Sequence, residues 1–396
     1  MGSGALPLYL HVGLPKSGTT YLQAVLARHR PDLRATGVVY PYAGRESMFR
    51  AAVEVRGQHA RWGFPVDGPR GVQGTFARLL RDARKASVAA VISHELYAGA
   101  TPQQVAAIVA ATDAFELHVV VTMRDLARQA VAYWQEQVKN GRSWSFEEFE
   151  HRVLDRFLAG EDGSTTLAEE REARLLRGGA GGYTVGDGRG FWRAQDLDSV
   201  LDRWRVAVPP ERLHLVTVPP AGASPSVLWE RFASVVGLDP SSVRVDEVPR
   251  TNSSLGVGQI ALLRRVNEAL DGRIGQPHYS HVVKRGFAQT QLAAIGGRRP
   301  EVPLHVAEAL DAVVDRWVAR IEAEGYDVVG DLADLSSSSG IAAVGSPDDV
   351  TDAEMLQGLP AVLADLLEQI AVLRSQGPGE DTLPAVPQEP GRAAAL

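Results

Sequence analysis

The sequence predicts an α/β protein: a three-layer, doubly wound parallel sheet, with a helical appendage at its C-terminal end. Three observations predict it. Residues 8–23 (LYLHVGLPKSGTTYLQ) read as a short apolar strand, a tight loop and a helix that starts near Thr19, because Leu22, Val25 and Leu26 recur at helical spacing. Residues 88–95 and 116–125 are apolar runs of the kind shown by strands buried on both faces of a parallel sheet. Helical patterns at about 75–85, 102–111 and 126–139 alternate with these strands, which is the order a parallel sheet requires.

The loop at 13–20 carries the clearest chemistry. A glycine- and hydroxyl-rich turn ahead of a helix offers unpaired backbone N–H groups and the positive end of the helix dipole. Together these favour a phosphate or sulfate by roughly 0.3–1 kcal/mol or more. Lys16 adds a full positive charge. The Walker A pattern, G-x-x-x-x-G-K-[ST], places its lysine just after the second glycine. Here Gly13 and Gly18 keep that spacing, but Thr19 stands at the lysine position and Lys16 lies two residues before Gly18. A hydroxyl N-cap beside an incidental lysine is the purely structural account.

The order Pro15-Lys16-Ser17-Gly18-Thr19-Thr20 resembles the 5′-phosphosulfate loop of sulfotransferases that use PAPS (3′-phosphoadenosine 5′-phosphosulfate). The resemblance implies a P-loop-like architecture, PAPS as cosubstrate without a metal, and sulfuryl transfer to a hydroxyl or amine. Lys16, Ser17, Gly18, Thr19 and Thr20 would then hold the 5′ end of the donor, with Lys16 neutralising charge on the leaving phosphate. The likeness runs from about residue 8 to 335, with strong motifs only at the beginning.

His94 and Glu95 stand where the strand at 88–92 ends, and ligands of doubly wound sheets bind outside such ends. An ionisable pair there can serve as general base for an acceptor hydroxyl. It can equally complement the helix that begins at Thr101-Pro102. Sulfotransferases of the kind this chain resembles use a histidine or a glutamate at this strand end. The Ser-x-Glu arrangement favours Glu95, with His94 second.

Arg124 ends the strand at 116–123, well placed to grip an anion bidentately, or to pair with Asp125. It resembles the 3′-phosphate motif of the same family, in which a serine follows eight residues later. Here that position is Ala132. A missing hydroxyl contact to a charged group costs about 1.5–3 kcal/mol unless Gln129, Arg128 or a backbone donor replaces it. Lys284-Arg285-Gly286 is loosely similar to a basic-basic-glycine element that touches the 3′-phosphate in some members, and it also reads simply as a solvated basic patch.

Elsewhere the chain is read in outline. Residues 42–71 look irregular. Capping-box patterns at Ser145–Glu148 and Thr166–Glu169 start two helices. Residues 178–190 hold seven glycines and read as a surface loop or a lid over the acceptor. A helix at 192–206, a strand ending at Val218, helices at 225–236 and 258–270, and a last helix at about 302–325 complete the α/β domain, 1–335. A serine-rich linker spans 336–350. An amphipathic helix at 351–376 carries Leu356, Leu359, Leu363, Leu366, Ile370 and Leu373 at 3-4 spacing. That seam could pair two copies or dock on the domain. Residues 377–396 read as a disordered tail.

Composition narrows the setting. With 41 Lys+Arg against 48 Asp+Glu the net charge is −7, so no bulk basic field points to nucleic acid. The absence of cysteine excludes thiolate metal sites, and no His/Asp/Glu cluster has metal-ligand spacing. Apolar content of 45 % is that of an ordinary globular protein, and no uninterrupted apolar run nears the ~20 residues of a membrane span. A cytoplasmic enzyme acting on a small-molecule, carbohydrate or glycolipid acceptor is the expectation. Two alternatives stay open: an ATP-using P-loop kinase, and a relative that binds a nucleotide without transfer.

Overall fold

The computed structural model describes residues 4–155, 189–245, 254–337 and 345–375. Six parallel strands form one sheet in the order β2-β3-β1-β4-β5-β6. They are β1 Leu6–His11, β2 Val38–Val39, β3 Ala89–Ser93, β4 Phe115–Met123, β5 Leu213–Thr217 and β6 Asp327–Val329. Leu10 of β1 lies opposite Ile92 of β3 and Val119 of β4, and all three are buried, as two-sided coverage demands. The chain runs outward from β1 to β2 and β3 on one side, then to β4, β5 and β6 on the other. The strand order therefore reverses between β1 and β4, where a doubly wound sheet opens its crevice.

The longer helices flanking this sheet are α1 Thr19–Arg28, α2 Ser47–Val55, α3 Thr75–Ala83, α4 Pro102–Ala111, α5 Leu126–Lys139, α6 Leu197–Arg205, α7 Pro225–Val235, α8 Val257–Leu270, α9 Leu304–Glu324 and α10 Leu359–Ser375. In α1, Leu22, Val25 and Leu26 are fully buried, each worth about 1.5–3 kcal/mol of apolar transfer. The span of α5 matches the sequence pattern. Asp125 caps it by accepting from the amides of Ala127 (2.9 Å) and Arg128 (3.2 Å), and Leu126, Ala130, Trp134 and Val138 face the core.

Three elements differ from expectation. Part of the stretch 42–71 is helical, because Met48, Ala51 and Ala52 give α2 one buried face. The helix expected at 192–206 is broken at Asp196, which turns to cap α6 through the Ser199 amide. Beyond α9 a short edge strand, β6, closes the sheet against β5.

The C-terminal region is tied down in part. The amide of Ser337 donates to Asp311 at 2.9 Å. Asp348 accepts from the amides of Phe146 and Glu147 (2.9 Å each) and pairs with Arg264 at 3.1 Å, so the described parts of the expected linker are anchored. On α10 only Val362 is buried, while Leu363, Leu367, Ile370 and Leu373 are exposed. By length and composition alone, Asp352–Ser375, at 24 residues and a hydropathy of 1.4, is long and apolar enough to cross a membrane, although it is not an uninterrupted apolar run. It is a weak candidate: the helix is interrupted after Leu356, and Asp365 would cost about 2.5–3.5 kcal/mol at a bilayer centre. Residues 166–169, 178–188, 249–253, 338–344 and 376–396, including the second capping box and most of the glycine stretch, lie outside the described residues.

Candidate active site

The loop after β1 is held to its neighbour by continued pairing. The Val12 amide donates to Val120 O at 2.9 Å and the Leu14 amide to Thr122 O at 2.8 Å. The backbone then turns through left-handed φ at Gly13 (51°), Lys16 (72°) and Gly18 (81°). A Cβ on Gly18 would lie 2.4 Å from Leu228, and one on Gly13 the same distance from Thr19, so close packing as well as φ favours glycine at both. Gly18 is the N-cap of α1 and no side chain caps that helix, which leaves its first amides to an external acceptor.

Beneath the loop runs a chain of buried hydrogen bonds drawn from three strands and the loop. Ser93 Oγ lies 2.8 Å from His11 Nδ1, His11 Nε2 3.1 Å from Thr122 Oγ1, and Thr122 Oγ1 2.7 Å from Ser17 Oγ, which donates to the Leu14 carbonyl. All four side chains are fully buried. Because a carbonyl only accepts, every proton in the chain is placed: Ser17 receives from Thr122, Thr122 from His11 Nε2–H, and His11 Nδ1 from Ser93. Burial pushes His11 down to about 4, so its ring is neutral near pH 7. Ser17, expected to face the anion, is thus turned inward; its amide also donates to Leu14 O. Thr19 is buried and Thr20 exposed, leaving Thr20 as the loop's accessible hydroxyl.

Arg124 sits at the end of β4 and donates to the carbonyl of Lys16 at 3.0 Å. It forms no ion pair among the described residues, and its buried Nε has no hydrogen-bond partner. Burial, with Arg128 nearby, pushes the guanidinium down to about 10. The structural alternative of an Arg124–Asp125 pair is not formed; Asp125 serves α5 as its cap. A deeply set guanidinium against the loop, with donor capacity left over, is suited to an anion.

His94 and Glu95 follow β3 directly. Gln23 of α1 donates to Glu95 Oε2 at 3.1 Å, which joins the candidate base to the helix that starts at the loop. Burial alone would raise Glu95, but His94, hydrogen bonds from its own backbone and from Gln23, and the charge of Lys16 together hold the carboxyl below its ordinary value. Burial lowers His94, which is therefore neutral near pH 7. The help Glu95 receives at that pH comes from Gln23, its own backbone and Lys16. His94 Nδ1 accepts from the Leu96 amide at 3.2 Å, which places the ring proton on Nε2, while the ring stacks on Phe49 at 5.3 Å. With Nδ1 engaged and Nε2 protonated, the neutral ring is poorly arranged to take a proton.

Two features escaped the sequence. Glu136 of α5 bridges Lys16 (2.9 Å) and Lys284 (2.5 Å), and Lys284 also donates to Asn140 at 2.8 Å. Lys284 is thus held against α5, and the solvated basic patch reading is corrected for that residue. Burial would raise Glu136, but the two lysines hold it far below the carboxylate range. The sequence signal was its place on α5, one turn beyond Ala132 and two beyond Arg128 on the same helix face. The second feature is a cleft of about 260 Å³ lined by Tyr21, Arg128, Leu228, Arg299 and the turn at 218–225. It adjoins the loop, since Leu228 and Val218 both approach Gly18.

No family model matches this chain, and no curated protein does. Among solved structures, a sulfotransferase from Alicyclobacillus acidocaldarius is similar to it at 18% identity. That match covers 67% of this chain and 96% of that chain, with a TM-score of 0.35. At this TM-score the likeness carries no argument, and the fold rests on the strand order and register described above.

Proposed function

We propose that the protein is a cytoplasmic sulfotransferase that moves the sulfuryl group of PAPS to a hydroxyl or amine of a small-molecule, carbohydrate or glycolipid acceptor. One observation carries the reading: a lysine-bearing, uncapped strand–loop–helix turn with an incompletely satisfied buried arginine at the end of the adjacent strand. This is a two-point cationic site at the reversal of the strand order. The residues present fit a bisphosphate donor. Lys16 and the first amides of α1, with the Thr20 hydroxyl, would hold its 5′ end. Arg124, with Arg128 and Arg299 around the adjoining cleft, supplies positive charge for its 3′-phosphate in place of the serine missing at Ala132.

When bound, PAPS supplies the sulfuryl group and a bisphosphate leaving group. The chain's own residues orient the reaction and stabilise its charge, which is where transfers of this type gain most of their rate. Glu95, ionised at neutral pH and joined to α1 through Gln23, accepts the acceptor proton; His94 packs behind it on Phe49. Lys16 offsets the charge that develops on the leaving phosphate.

The test is sulfuryl transfer by Lys16→Ala. Loss of such a charge stabiliser should lower the rate on the order of 10²–10³, and an unchanged rate would refute the mechanism. With Glu95 as base, the acidic limb of the pH–rate profile lies below 4.5, the ordinary value from which Glu95 is lowered; a limb above 4.5 but below the ordinary histidine value of 6.5, from which His94 is lowered, would transfer the role to His94. The exposed Leu363, Ile370 and Leu373 support pairing of two copies through α10, which sedimentation at varied concentration checks.

A further inference from the structure

The bridge made by Glu136 has a consequence for any ligand of the loop. Its carboxylate engages Lys16 at 2.9 Å and Lys284 at 2.5 Å. One turn along α5, Lys139 is buried and has no ion-pair partner among the described residues. Two ammonium groups thus engage one carboxylate and a third, that of Lys139, feels the same charges, so the half-buried surplus of positive charge is poorly compensated. Yet the two lysines best placed for an incoming anion are already taken by charge-assisted hydrogen bonds, the strong kind. A monoanion landing in the loop would only exchange one carboxylate for another single charge. A phosphoryl-type dianion brings a second charge and further acceptor oxygens, and can engage both ammoniums at once.

We propose that Glu136 is a resident counter-anion that holds Lys16 and Lys284 until a phosphoryl-type dianion displaces it, so that it sets a charge threshold on ligands of the loop. Lys139, three residues on along the same helix, gives the displaced carboxylate a new partner within one helical turn. The inference rests on the preceding section only in that the Lys16 loop binds an anion; the identity of the donor does not enter.

The test is titration calorimetry of the full chain at fixed, low ionic strength. The probes are pyrophosphate, adenosine 3′,5′-bisphosphate and nitrate as the monoanion. Glu136→Gln should bind pyrophosphate about tenfold tighter or more than the unsubstituted protein, and should gain measurable nitrate binding. Glu136→Asp keeps the charge but shortens the reach by one methylene. It should fall between the two, whereas a role through net charge alone would leave it unchanged. If Glu136→Gln fails to fold, the aspartate variant decides the question by the same titration. Pyrophosphate binding no tighter in either variant than in the unsubstituted protein overturns the inference and leaves the proposed function standing. Tighter pyrophosphate binding without any binding of the nucleotide upholds the inference and counts against the proposed donor. No anion binding by any of the three proteins overturns both.

Discussion

Two polar clusters meet at the loop of Lys16, and they are built in opposite ways. Beneath the loop, Ser93, His11, Thr122 and Ser17 form a neutral, fully buried chain in which each proton has one place. Beside the loop, Glu136, Lys16 and Lys284 form a charged, half-buried cluster in which the same lysine that pairs internally is the one proposed to meet a ligand. The first fixes backbone shape with short directional bonds that dissolved salt cannot screen. The second leaves charge adjustable, because an ion pair near the surface can be exchanged for another. Shape and charge at one loop are thus supplied by separate parts of the sequence, and they should fail separately.

The sharpest way to break the shape half is His11→Leu. It removes a donor and an acceptor from the middle of the chain, strands the buried Ser93 hydroxyl at about 1–3 kcal/mol, and costs Thr122 one hydrogen bond at about 0.5–1.5 kcal/mol while its bond to Ser17 stays. The unfolding free energy should drop by that sum, equally at low and high salt. Acid supplies a second, slightly smaller perturbation. The folded-state value of His11, about 4, lies below the ordinary 6.5, so between these values the unfolded chain binds the extra proton. Stability from this group is therefore complete above 6.5 and is lost as pH falls toward 4, by about 3 kcal/mol. Denaturant titrations of the unsubstituted protein across that window should show the loss, and His11→Leu should show a flatter profile. Gly18→Ala comes next: a left-handed φ of 81° costs a Cβ-bearing residue about 1–2 kcal/mol, and Leu228 must also move. Ser17→Ala removes two hydrogen bonds, the one from Thr122 and the one to the Leu14 carbonyl, at about 0.5–1.5 kcal/mol each. If Ser17→Ala weakens nucleotide binding far more than it lowers stability, the serine faces the ligand and the division between shape and charge is wrong.

How much of this was legible in the sequence depended on how local the cause was. The span of α5 could be read directly, because an acidic N-cap and a 3.6-residue apolar repeat lie within one stretch. So could the loop at 13–20, whose glycines answer to the local turn. The edge strand β6 could not, since three residues carry no periodicity and its pairing partner lies more than a hundred positions earlier. Within 42–71 the helix α2 was masked by surrounding glycines and prolines, although its buried face is regular. At the candidate site, Lys16, Glu95 and Arg124 can be proposed from sequence because each ends or follows a strand. Glu136 was missed because its meaning depends on Lys284, which lies 148 residues away in sequence. The inward turn of Ser17 was likewise set by Thr122, a residue of another strand.

The central claim is that the loop holds a bisphosphate nucleotide, and thermal unfolding with added nucleotide tests it most directly. A ligand that binds only the folded chain adds about 2.7 kcal/mol when present at a hundred times its dissociation constant. Adenosine 3′,5′-bisphosphate should raise the midpoint by several degrees without magnesium, and ADP with magnesium should not match it. A magnesium-dependent rise with ADP, and none with the bisphosphate, would contradict the account.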